Sequence, residues 1–277
     1  KAIICVRPAV VDASVNVYDD INLYFPEKQY ECLFSFAAEA VKISVDLSLQ
    51  AKIPENPSKL FISLNNRTPV HRCFLMDMLC KYNLQPYSYL SWRKFGTLKD
   101  YNKTFDFQYF NPKQTLELDW GGKTTDQWMN PPDHFKDSLF SLVAETSSRS
   151  IFFTEKTWIP MLHIRPFIVY SAANFHNILK NLGFEIFEEF IDYSFDSELN
   201  WRKRGEMIIQ ELDKLKNENY TSMYEKMKPK CVHNYHHLVK LVKNPKLWMD
   251  ESLLEIIQHS TNAYIQSRYI PIIFQED

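Results

Sequence analysis

Apolar residues in this chain come in short unbroken runs, and the stretches between them carry apolar positions at helical spacing. Unbroken runs fit strands buried on both faces, and their alternation with helices fits a mainly parallel sheet. Residues 141–170, SLVAETSSRSIFFTEKTWIPMLHIRPFIVY, show the pattern most clearly. An apolar run at 141–144, part of a strand expected over 139–144, stops at Glu145-Thr146-Ser147. A polar stretch leads to Thr154-Glu155-Lys156 and a helix expected over 156–163. Arg165-Pro166 then opens a second apolar run at 167–170. The order is strand, loop, helix, strand.

The same reading extends along the chain. Residues 2–7 read as a strand and 31–43 as a helix, and the Pro-rich stretch 52–58 marks a boundary. A strand over 59–64 stops at Asn65-Asn66-Arg67. Pro69 then opens a helix to about Tyr82, with Phe74, Leu75, Met78 and Leu79 on one face. A strand follows over 87–92, and 96–134 reads as loops and short elements. Beyond Tyr170 a helix over 174–182 ends at Gly183, a left-handed cap residue, before a short strand over 184–187. Helices are expected over 201–217, 220–227, 233–242 and 251–269. The fold class is therefore α/β with a Rossmann-type parallel sheet. Its expected parts are a short N-terminal segment (1–57), a sheet domain (58–197) and C-terminal helices packing back on the first domain (198–277).

Composition narrows the function. The 277 residues are 45% hydrophobic and 15% aromatic, enough for a folded core. A net charge of −2 provides no global field for nucleic acid, though a local basic groove stays open. No apolar run approaches the roughly 18 residues of a membrane span, and residues 1–5 read as a strand rather than a signal peptide. A soluble cytoplasmic protein is expected. The five cysteines are odd in number and lack CxxC spacing, so Cys73 and Cys80 read as helix core. Five glycines are few against a usual share of about 7%. Neither GxGxxG nor a P-loop occurs, so phosphates would be held by side chains and helix ends. Heavy use of Lys, Asn, Phe, Ile and Tyr suggests an AT-rich genome and is compatible with a viral source.

Glu145 with Ser147, then Thr154-Glu155-Lys156, then Pro166, resembles the C-terminal motif of the α-1,3-fucosyltransferase family of GT-B glycosyltransferases. In that motif an acidic residue follows a strand, an Ile-Thr-Glu-Lys-like segment starts a helix, and a Pro-containing strand comes next. The resemblance covers about a third of the chain. It implies a GT-B-like fold and transfer of a sugar from a nucleotide-sugar to a hydroxyl. Residues 192–196 are not a metal-binding DxD triplet, so a donor site without a metal or other cofactor is expected. The acceptor would be a glycan, a protein or a hydroxymethylated base of viral DNA, and host cytoplasm the place of action if the source is viral. A non-catalytic nucleotide- or glycan-binding descendant within a larger assembly is the alternative, favoured by the short N-terminal segment.

The donor-site candidates are Asn65, Arg67, Arg72, Glu145, Thr146, Ser147, Thr154, Glu155 and Lys156. Arg67 or Arg72, and Lys156, would neutralise the donor diphosphate, whose leaving charge grows in the transition state; helix capping or pairing is the other reading of the arginines. Glu145 suits ribose or sugar hydroxyls, or else loop amides. Thr154 and Glu155 suit donor hydroxyls, or else an ordinary capped first turn. Glu155 is also a catalytic candidate, with Asp19 and Asp20 as possible general bases for an inverting transfer or simply a surface turn. His233 and His237, four apart, could ligate a metal or cap helices. Trp92, Trp120, Trp128 and Trp158 could stack a base or pack in the core. Two expectations can be checked in a structure. The runs 59–64, 139–144 and 167–170 should be parallel neighbours, and Arg67 or Arg72, Glu145, Thr154, Glu155 and Lys156 should surround one pocket on one sheet edge. Glu145→Gln is expected to lower turnover with little loss of stability, because its volume is kept.

Overall fold

Four strands make one sheet: β1 (Lys59–Asn65), β2 (Ser88–Trp92), β3 (Ser138–Ala144) and β4 (Phe167–Tyr170). The computed structural model describes residues 51–65, 69–92, 105–113, 116, 118, 131–149, 151, 153–244 and 247. Every strand pair is parallel, in the order β2-β1-β3-β4. The three runs picked out in the sequence are therefore parallel neighbours. β3 and β4 are buried at every position, which explains their unbroken apolar character.

Five helices accompany the sheet among the described residues: α1 (Val70–Lys81), α2 (Glu155–Leu162), α3 (Phe175–Asn181), α4 (Trp201–Leu215) and α5 (Tyr220–Lys243). α1 links β1 to β2, and α2 links β3 to β4 in the opposite direction across the sheet. Right-handed crossovers therefore put α1 and α2 on opposite faces. α4 packs on α1 and β4, and α5 on α2 and β3, so two helices cover each face. This three-layer arrangement is Rossmann-like.

Two local expectations are corrected. No strand forms over 184–187, where the backbone is irregular. Its partner is a side chain: Asn234 of α5 accepts from Glu185 N–H at 2.7 Å and donates to Glu185 C=O at 2.9 Å. One buried amide thus replaces a neighbouring strand. Likewise, the helices expected over 220–227 and 233–242 are one helix, α5, which runs through Pro229. Pro229 is exposed, so the carbonyl it leaves unpaired one turn back can turn to water. Met223, Tyr224, Met227, Cys231 and Leu238 hold both halves in the core. Gly183 follows α3 with φ +91, as expected of a left-handed cap residue.

Cys73, Cys80 and Cys231 are buried free thiols, and Trp92 and Trp158 are fully buried in the core. The strand at 2–7, the helices at 31–43 and 251–269, and Asp19, Asp20, Arg67, Trp120 and Trp128 lie outside the described residues. No helix among the described residues is long and apolar enough to cross a membrane.

Candidate functional site

The chain leaves β1 towards one edge of the sheet and leaves β3 towards the other. β1 is followed by α1 on one face and β3 by α2 on the other. The carboxyl ends of these adjacent strands are therefore the switch point of the sheet, the position at which open α/β sheets bind ligands. β1 ends at Asn65 and β3 at Ala144, and their register sets these two residues level. Glu145 is the next residue.

Glu145 is the centre of this edge. Its side chain is fully buried and its carboxylate accepts four hydrogen bonds. Oε1 takes Thr154 N–H at 3.1 Å and the Thr157 hydroxyl at 2.5 Å. Oε2 takes Thr146 N–H at 3.1 Å and the Thr154 hydroxyl at 2.7 Å. The carboxylate ties the end of β3 to the first turn of α2. The reading of Glu145 as a binder of loop amides is the one these bonds fit, and ligand hydroxyls would have to compete with four internal donors. Gln at 145 would also confront donors with donors, so the expectation of little stability loss is corrected.

The carbonyl of Glu145 is used as well. His71 Nε2–H donates to it at 2.8 Å, and Arg72 Nη2–H bonds to it at 3.2 Å and to Ala144 C=O at 2.7 Å. A carbonyl only accepts, so His71 carries its proton on Nε2. Burial, with the Arg72 cation beside it, pushes the His71 imidazole down to about 3. Arg72 is 3% exposed. Its guanidinium braces the end of β3 from inside the protein, and its charge is felt at Glu155.

Glu155 and Lys156 open α2 towards solvent, with 30% and 28% of their side chains exposed. Thr154 caps the helix, its hydroxyl accepting from Lys156 N–H at 3.3 Å. Lys156 Nζ bonds Glu155 Oε1 at 2.7 Å and Thr154 Oγ1 at 3.2 Å. Burial would raise the Glu155 carboxyl, but Lys156 and then Arg72 hold it below its ordinary value. A lysine sits poorly beside the positive end of a helix dipole, and its neighbouring glutamate offsets that. Thr146 is exposed and Ser147 half-buried. Asn65 is fully buried, its N–H on Ser91 Oγ at 2.9 Å and its Nδ2 on Ser63 Oγ at 3.2 Å, while its Oδ1 has no partner among the described residues.

Arg72, Glu145, Thr154, Glu155 and Lys156 thus form one connected cluster, despite lying on two helices and a strand end. Sequence reasoning missed Thr157, which completes the carboxylate's shell, and Arg204, whose guanidinium reaches the loop after β3 at Ser148 C=O, 2.6 Å away. Thr157 was legible as the next hydroxyl along from Thr154, whereas nothing near Arg204 in the chain points to that loop. His233 and His237 sit against the backbone at the end of α3, bonding Gly183 C=O at 2.9 Å and Leu182 C=O at 2.7 Å. Among the described residues no group of three or more His, Cys, Asp or Glu is placed to hold a metal ion.

No protein-family model matches the chain, and no curated protein or solved structure matches it either. Fold and edge define an α/β protein with a parallel, Rossmann-like sheet and a charged cluster at its switch point.

Proposed function

We propose that the chain is a GT-B-like glycosyltransferase that binds a nucleotide-sugar at this sheet edge and passes the sugar to a hydroxyl acceptor. The observation that carries the reading is the convergence of Arg72, Glu145, Thr154, Glu155 and Lys156 at the switch point of the sheet. In this reading Lys156 leaves Glu155 for the donor diphosphate. Glu155, released, accepts from a donor hydroxyl or takes a proton in the transfer. Behind them Glu145 fixes the first turn of α2 to the end of β3, and His71 and Arg72 fix α1 to the same strand end. That division of labour differs from direct contact by Glu145 and Arg72, since both are buried and bonded within the protein.

The internal bonding of Glu145 and Arg72 also favours a second reading, a non-catalytic binder of nucleotides or glycans. Release of free nucleotide from a panel of nucleotide-sugars, with and without glycan, protein and hydroxymethylated-DNA acceptors, separates the two. Acceptor-dependent release supports the transferase. Nucleotide binding without release supports the binder.

A further inference from the structure

Arg204, in the first turn of α4, is 2% exposed, and its guanidinium is spent on backbone carbonyls. Nε donates to Ser171 C=O at 2.9 Å, Nη2 to Ser148 C=O at 2.6 Å, and Nη1 to Glu198 C=O. Those carbonyls belong to the loop after β3, the loop after β4 and the approach to α4. All three stand at the edge that carries the Glu145 cluster. A second tie joins the same loops, the Ser171 hydroxyl donating to Ser147 C=O at 3.3 Å.

The approach of α4 makes the reach possible. Gly205 follows Arg204, and a Cβ there would lie 2.9 Å from the Tyr170 ring and 3.1 Å from that of Phe74. The absence of a side chain lets the first turn press on the end of β4, where Tyr170 Oη donates to Trp201 C=O at 2.9 Å. Arg204 makes no ion pair within 4.0 Å among the described residues, although the charges of Asp196 and Glu198 are felt there. A buried cation spent on three carbonyls is costly to desolvate, and an apolar residue would fill a core at less cost. What the cation supplies is a fixed relation between loops. The loop it reaches exposes Thr146 and Arg149 to solvent beside Glu145.

We propose that Arg204 is a positioning residue. It sets the shape in which residues 146–149 are presented to an anionic, diphosphate-bearing ligand at the sheet edge. The ligand in this statement rests on the donor-site reading above; the clamp on the loop does not.

Hydrogen exchange on the wild-type chain, Arg204→Lys and Ser171→Ala tests the clamp, and titration of the wild type and Arg204→Lys with UDP and GDP tests its use. Lysine keeps the charge but not the fork that serves three carbonyls. Arg204→Lys is expected to speed exchange at 146–149 about tenfold while amides of β1 and β3 keep wild-type rates. Nucleotide affinity should fall by about the same factor. Ser171→Ala, which removes only the second tie, should speed the same loop less and leave the strands alone, even if Arg204→Lys does not fold. Unchanged loop exchange overturns the clamp, as does a rise shared equally by loop and strands. A loosened loop with unchanged nucleotide affinity overturns the positioning role alone. A wild-type chain that binds neither nucleotide sinks the donor-site reading and the ligand named here, while the exchange data still decide the clamp.

Discussion

Exchanging the Glu145 carboxylate for a carboxamide keeps the volume and replaces one acceptor oxygen with an N–H₂ group. Four donors converge on that carboxylate, two of them backbone N–H groups that cannot turn away. The hydroxyls of Thr154 and Thr157 can rotate, but at least one amide then faces a donor in a buried site. Leaving such a group unsatisfied costs about 1–3 kcal/mol. Glu145→Gln should therefore lower unfolding free energy by that amount in urea titration, and Glu145→Ala by more. A variant as stable as the wild type would contradict the hub. The choice between ligand hydroxyls and loop amides was not legible at 145, because both ask for a carboxylate just past a strand. What decided it was a contact nine residues away in sequence, which spacing alone does not reveal.

At the scale of elements, strand and helix positions were readable wherever burial was two-sided or periodic. β1, β3, β4, α1 and α2 lie within a residue or two of expectation. The failures came where a side chain stood in for backbone or where tertiary packing overrode a breaker. Asn234 supplies the bonds that a strand at 184–187 would have sought, and the core side chains of α5 carry the helix past Pro229. Close approach is the other feature that pattern conceals. Gly205 is where α4 meets Tyr170 and Phe74, and a methyl there overlaps both rings. Gly205→Ala should destabilise the fold by about 1–3 kcal/mol through overpacking, despite alanine's better helix propensity. Thermal unfolding measures the net, and a stabilised variant would refute the close packing.

For the whole molecule, pH is a probe of how the charges are buried. His71 and His163 are both held near 3, by burial and by the cations Arg72 and Arg165 respectively, against an ordinary 6.5. Above pH 6.5 the rings are neutral folded and unfolded, so this contribution to stability is fully present. As pH falls below 6.5 the unfolded chain takes up protons that the folded one refuses. Stability then drops by up to about 1.4 kcal/mol per pH unit for each histidine until pH nears 3. Glu155 and Asp196, held below their ordinary range, add losses of the same sign in more acid solution. Urea unfolding at pH 7 and pH 5 should show the drop, and His71→Gln, which keeps a side-chain N–H donor, should remove roughly half of the part due to the two histidines. A flat profile between those pH values would contradict the buried neutral rings.

The switch point is also a whole-molecule property, and it was legible only in outline. Strand order follows from three parallel pairings that no single segment specifies, yet it is what brings the starts of α1 and α2 to one switch point. In the proposed site Lys156, at that switch point, is the cation a nucleoside diphosphate meets. Calorimetric titration of the wild type and Lys156→Ala with UDP and GDP tests it most directly. The wild type should bind at least one of them, and the variant should lose about 1.5–3 kcal/mol of affinity, on the order of tenfold to more than a hundredfold. Its melting temperature should stay close to that of the wild type, since Lys156 is partly exposed. A wild-type chain that binds neither nucleotide, or a variant that binds as tightly as the wild type, would contradict it.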